Sequence, residues 1–472
     1  PEPRDEARPD VEGLARRLAL PLLLVGLVTR GIFGLAVAPA ELRRSLGRAT
    51  AQAPLRQGRH PPPTLPHAAR PPPLPTLATV PSSLPPAGLA PADRERAAAL
   101  AEGVRARRPM SPGDIADALG LASRYPAETS LQDLAEAVLV SAAEAERAAR
   151  RYPQAEELLR RALRVKPGSR PAYAGLLNVL LEASDWVGAE AVARELLVGS
   201  PDDPAVWRSL GQALMRQDRN REAVEALRTS LALRDDPLAR QLLAHVEKGL
   251  RDEKGMSEKQ LAHFNVRYDG GEHEDVGREI LRALDRHHAT LTGVFDHRPA
   301  AAIPVILFSQ QDYYDAAGAP RWSGGVFNHF DGRIRSPIRG LSASLSPDMD
   351  NVLVHEVTHA FIADISRGVS PRDVHEGTAQ YMEGKRIASV LSGDDLRALA
   401  DGRIGGVGGF YFGALAFVEY LMGQRGQGGL NDLLRAMGDT GDANAAFRQV
   451  YGQDHAATTR AFQERFRRQH GS

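Results

Sequence analysis

The residues whose types and spacing most directly imply chemistry are His355-Glu356-Val357-Thr358-His359. Two histidines one turn apart on a helix share a face, so their imidazoles can reach one zinc ion at about 2.0–2.1 Å. The glutamate between them is placed to take a proton from a water on that metal, whose pKa zinc lowers toward neutrality. The flanks sharpen the reading. VLVHEVTHAF carries no charge beyond the motif's own residues, where a solvent-facing helix would carry Lys, Arg or Asp. A buried helix with three polar side chains needs something for them to bind, because unpaired buried polar groups are costly. The alternatives are a metal ion or a self-satisfied His-Glu-His hydrogen-bond network.

A zinc site needs a third protein ligand and an open fourth position. Downstream, the chain can leave the first helix, turn through Arg367 to Asp373, and return along a second helix carrying VHEGTAQYMEG. Here the chain resembles the gluzincin metallopeptidases, and looks most like the small bacterial peptidase-MA-like members, whose third ligand lies in an EGxAxY-type motif. Glu376-Gly377-Thr378-Ala379-Gln380-Tyr381 matches that motif residue for residue. The resemblance runs from about His263 to the C-terminus. It implies an α+β zincin (thermolysin-like) peptidase domain at 258–472 and one zinc ion held by His355, His359 and Glu376. It also implies that Glu356 is the general base and that the substrate is a peptide or protein. Gly377 would let these two helices, the one bearing HExxH and the one bearing Glu376, approach closely, and Tyr381 would pack or hydrogen-bond behind the site. Tyr411, in GGFYFGALAFVEYL, stands where such peptidases show a tyrosine, and is nominated as transition-state donor; a core aromatic with a bonded hydroxyl is the competing reading. The chain departs from the pattern at His375, where relatives carry an apolar residue, so His375 is a rival ligand. His329 is a weaker candidate for the site.

The elements that must position these residues read as a small sheet followed by helices. HFNVRY at His263–Tyr268 alternates like a strand, Asp275 to Leu291 is an amphipathic helix, and Ala302 to Phe308 is a buried strand. Gly324 to Pro337 reads as strand, turn at Asp331-Gly332, and strand. Everything after Asp348 looks helical. The Gly324–Phe330 strand would form the sheet edge along which a peptide lies by strand addition. Gluzincin aminopeptidases place a substrate-amine-binding glutamate there, whereas this chain has Phe327. An endopeptidase is therefore favoured over an aminopeptidase.

Upstream lies a different architecture. Ala155, Ala189 and Ala223 recur every 34 residues, as do Leu159, Ala193 and Leu227, and Leu163, Leu197 and Leu231. Tyr173 with Trp207 and Pro167 with Pro201 keep the same period. Small residues where helices cross, large ones filling the groove and proline at the turn are the signature of tetratricopeptide repeats. Three repeats fit, at about 133–168, 169–202 and 203–236, inside an all-α solenoid spanning 93–252, with Pro237 to Arg251 as cap. Glu253 to Lys259 reads as a charged connector. Such a solenoid offers a groove for a protein partner.

The chain of 472 residues has 59 basic and 59 acidic residues and no cysteine. Charge balance gives no support to nucleic-acid binding. The missing cysteines exclude disulfides, thiolate metal sites and cysteine nucleophiles. Leu18 to Ala40 is apolar, flanked by arginines and interrupted by Arg30. It fits a signal peptide with a small-x-small site at Ala38-Pro39-Ala40, or a membrane anchor, within 1–45. Either implies an exported or membrane-anchored, periplasmic or extracytoplasmic protein. Residues 46–92, with PPPTLP and RPPPLP, read as a proline-rich linker. The expectation is a zinc peptidase whose repeats recruit substrate or partner. The alternative is a non-catalytic repeat scaffold or assembly protein whose peptidase domain is inactive or serves a single partner.

Overall fold

The structure, a computed structural model, describes residues 73–74, 80, 88–268, 274–309, 312–314, 324–338 and 347–472. All of them fall in one compact unit, Arg70–Ser472. The signal or anchor segment expected at 1–45 and most of the linker expected at 46–92 lie outside the described residues.

Helices α1 (Pro91–Arg105) and α2 (Pro112–Arg124) lead. A capping box starts α2: the Ser111 hydroxyl accepts from the Asp114 N–H, and the Asp114 carboxylate accepts from the Ser111 N–H at 2.8 Å. Three antiparallel pairs follow, α3 (Thr129–Ala148) with α4 (Tyr152–Val165), α5 (Arg170–Glu182) with α6 (Trp186–Gly199), and α7 (Pro204–Arg216) with α8 (Asn220–Leu233). Helix α9 (Pro237–Asp252) closes the stack. The recurring alanines 155, 189 and 223 are fully buried at the crossings. Gly211 serves the same end, since a Cβ there would lie 2.6 Å from Leu227 Cγ.

The remainder is a five-stranded mixed sheet with helices. Strands β1 (Ser257–Gln260), β2 (Phe264–Tyr268), β3 (Ile303–Phe308), β4 (Val326–Asn328) and β5 (Arg333–Pro337) take the order β1-β2-β3-β5-β4. β2, β3 and β5 are mutually parallel, while β1 and β4 run antiparallel at the two edges. The strand β1 corrects the reading of Glu253–Lys259 as a plain connector. Its residues are all exposed, so it carries no hydrophobic alternation and is held by backbone pairing to β2. Charged side chains of this kind suit a sheet edge. Helix α10 (Glu274–Phe295) joins β2 to β3. After β5 come α11 (Pro347–Ile365), α12 (Arg372–Met382), the short α13 (Ile387–Val390), α14 (Gly393–Ala400), α15 (Gly406–Thr440), α16 (Ala443–Tyr451) and α17 (His455–His470). Length and composition would let α15 cross a membrane. However, Gly426 interrupts it at φ 64°, and Leu415, Phe417, Val418 and Leu421 are buried in the core shared with α11.

A buried ionic cluster joins the repeat stack to the sheet. Asp218, at the tight turn between α7 and α8, accepts from both terminal nitrogens of Arg267 on β2 at 3.0 and 2.8 Å, and from Arg333 on β5. Arg333 also binds Glu253 at 2.5 Å, and both it and Asp218 have side chains only 2% exposed. Asp331 takes His245 of α9 at 2.8 Å and Arg335 of β5 at 2.5 Å. Arg335 and then His245 hold the Asp331 carboxyl well below the usual carboxylate range despite its burial. Arg216 at the end of α7 donates to the His329 carbonyl at 2.6 Å. The β4–β5 turn is thus clamped from the repeat side. Removing one member of a buried pair strands the other charge, so Asp218→Ala is expected to cost about 3–5 kcal/mol of unfolding free energy. Urea denaturation of the full chain checks this. A loss of about 1 kcal/mol or less, the value of an exposed pair, would contradict it.

Candidate metal centre

His355, Glu356 and His359 sit in the middle of α11, whose apolar residues Leu353, Val357 and Phe361 face the core. Glu376 comes from α12, which crosses α11 after a turn in which Arg367 and Gly368 take positive φ. The Glu376 carboxylate lies 3.7 Å from His355 Nε2 and 3.5 Å from His359 Nε2. The three donor atoms lie within 4.8 Å of one another. Ligand atoms bonded at about 2.0–2.1 Å to one tetrahedral zinc stand roughly 3.4 Å apart, so the glutamate is at ligand distance from both rings.

The second nitrogen of each ring is also engaged. His355 Nδ1 donates to the Glu383 carboxylate at 3.1 Å, and Glu383 pairs with Lys385 at 2.7 Å. His359 Nδ1 shares a hydrogen bond with His375 Nδ1 at 2.6 Å. Both imidazoles therefore turn Nε2 toward Glu376, the outer support that metal-binding histidines need. His375 lies behind His359 and not among the converging donors. Burial, then the neighbouring His359 and His329, keeps its pKa well below that of an ordinary histidine, so the ring is neutral. His329, on the β4–β5 turn, stands edge-on to His375 at 4.6 Å between ring centroids and is likewise outside the triad.

Electrostatics follow from this arrangement. Burial disfavours charge on His355, but Glu376 and Glu383 outweigh it and push the ring up to about 10. Burial would raise Glu376, yet His355 and His359 hold it well below the usual carboxylate range. Burial raises Glu356, and the two histidines only partly oppose it. The Phe327 N–H of β4 hydrogen-bonds to the Glu356 carboxylate, while its Oε2 is buried with no partner among the described residues. His375 Nε2 and Thr378 Oγ1 are likewise buried with no partner among the described residues. Several polar atoms around the His-His-Glu donor set are thus left unmet, as a site that takes a metal ion and its water would leave them.

Backbone spacing makes the approach possible. A Cβ on Gly325 would sit 2.9 Å from Glu356 Cγ, so β4 lies directly against α11. A Cβ on Gly377 would sit 2.1 Å from the Ala414 carbonyl. The close approach that Gly377 permits is thus between α12 and α15, which corrects the expectation that it brings α11 and α12 together: the bare face of Gly377 meets the α15 backbone. Tyr381 packs on the core under the Arg386 guanidinium, 3.5 Å from its ring centroid. Tyr411 opens α15. Burial, then the charges of Glu376 and Glu356, raises its pKa, and its hydroxyl bonds to Arg372. The Phe327 side chain is buried in the core, so β4 presents no acid at that position.

Sequence reading missed Glu383, the Phe327 N–H and Gly325. Glu383 was discoverable: it lies two helical turns beyond Glu376, at the end of the same VHEGTAQYMEG run. The other two act through backbone and have no sequence signal.

Residues 180–246 match the family model of the tetratricopeptide repeat. The match spans the end of α5 through most of α9, where the alanine columns are buried, and stops short of the sheet and the His-His-Glu cluster. No curated protein matches the chain.

Glu383→Gln should leave the fold intact and weaken divalent-metal affinity by about 10–100-fold, measured by zinc competition with a chromophoric chelator. Unchanged affinity would remove Glu383 from the site.

Proposed function

We propose that this chain is a zinc-dependent peptidase, with endopeptidase activity favoured over aminopeptidase activity. The observation that carries the reading is the convergence of His355 Nε2, His359 Nε2 and Glu376 beside the unpartnered Oε2 of Glu356. His355, His359 and Glu376 would hold the ion, and zinc there would supply Lewis acidity to a peptide carbonyl and to the attacking water. Glu356 Oε2 takes the proton of that water. The same carboxyl is placed to pass that proton to the departing amine. Tyr411 donates its hydroxyl hydrogen to the oxygen that gains charge, with Arg372 orienting it. Glu383 and His375 hold the two histidine rings in register. The edge strand β4 offers backbone to an extended substrate, and the buried Phe327 provides no carboxylate to bind a free amine. The matched repeats support recruitment of a protein substrate or partner.

The second reading, a repeat scaffold without catalysis, is favoured by the repeat match alone. One experiment separates the two. Purified full chain and Glu356→Gln are assayed for zinc content and for cleavage of unfolded casein. The enzyme reading expects about one zinc per chain in both and a drop in cleavage of about 10²–10⁴-fold in the variant. Zinc retained without cleavage by the wild type would favour the scaffold. No zinc in either would overturn the site.

A further inference from the structure

Asn178 stands in the apolar run LLNVLLE of α5 and is only 4% exposed. A buried side-chain amide there needs partners. It finds them on the proline-rich segment: the Leu74 N–H donates to Asn178 Oδ1 at 2.8 Å, and Asn178 Nδ2 donates to the Leu74 carbonyl at 3.0 Å. The amide thus pairs with the main chain of one residue as a neighbouring strand would. The Leu74 side chain, 4% exposed, enters the apolar core of the repeat stack, while Pro73 beside it is exposed.

The sequence explains why Leu74 is the anchor. In Pro71-Pro72-Pro73-Leu74-Pro75 it is the only residue with a backbone N–H to give. It is also the only one with a large apolar side chain. A leucine flanked by prolines in the sequence favours an extended backbone in a free peptide, which lowers the entropy lost on binding. The contact is nevertheless small, one seated side chain and two hydrogen bonds. Such a contact persists because the tether keeps the segment at high local concentration. Leu-Pro also recurs at 65–66 and 84–85.

We propose that α5 carries a peptide site, centred on Asn178, which this chain's own proline-rich segment occupies in cis. The partner it accepts in trans is an extended peptide with a leucine flanked by prolines, and that partner must displace Leu74. The proposal does not rest on the metal reading.

The test uses a fluorescent peptide with the sequence of residues 69–79 and the full chain, read by fluorescence anisotropy. A variant with Leu65, Leu74 and Leu84 all changed to Ser empties the site and should bind the peptide at least about ten-fold more tightly than the wild type, the competitor being tethered. Adding Asn178→Ala to that variant should abolish the gain. Equal binding by wild type and triple variant, or a gain indifferent to Asn178, would overturn the proposal. Circular dichroism checks folding. A second arm needs no emptied site: because the chain lacks cysteine, Pro73→Cys takes a single fluorophore on an exposed position. Excess unlabelled peptide should lower the anisotropy of that label, and no change would equally overturn the proposal.

Discussion

Placing two imidazoles and a carboxylate on the buried face of one helix sets the terms for everything around α11. Each of these groups costs free energy inside an apolar core unless its polar atoms are met. His355 is met by Glu383 and Glu376, and His359 by His375 and Glu376. Glu356 is met on one side by the Phe327 N–H. Among the described residues Glu356 Oε2, His375 Nε2 and Thr378 Oγ1 are buried and left over. A purely structural network would be expected to close on itself, whereas this one leaves polar atoms of α11 and α12 unmet.

The same constraint reaches the repeats. Glu356 needs β4 close by, so Gly325 lies at the helix surface, and β4 is a three-residue edge strand paired on one side alone among the described residues. Its turn is fixed from outside by Arg216 on the His329 carbonyl and by the cluster of Asp218, Arg267, Arg333 and Glu253. The repeat stack is therefore part of what holds the wall of the candidate site, in addition to any partner it recruits. His329 joins the two: its carbonyl is held by α7 and its ring abuts His375.

Much of this was legible because it is written in periods. The 34-residue columns gave the helix pairs, and the turn at Asp331-Gly332 and the buried run at 302–308 gave most of the sheet. HExxH with EGTAQY gave the converging triad. What escaped lacks a side-chain signature. β1 is a fully exposed edge with no alternation, and the Phe327 N–H and Gly325 act through backbone. The ionic cluster pairs residues far apart in sequence, such as Asp218 with Arg333, whose charges look like ordinary surface residues until the fold buries them. Leu74 was read as part of a linker, and only the fold shows its N–H meeting a buried asparagine.

Whether His355, His359 and Glu376 hold one zinc ion decides between a metal site and a metal-free hydrogen-bond network. Anomalous diffraction at the zinc edge, on crystals of the full chain grown with zinc, tests it most directly. A single strong peak bonded to His355 Nε2, His359 Nε2 and the Glu376 carboxylate, and lost in His359→Ala, is the predicted result. Zinc absent from these residues, or bound elsewhere while the three side chains bond only to one another, would contradict the account.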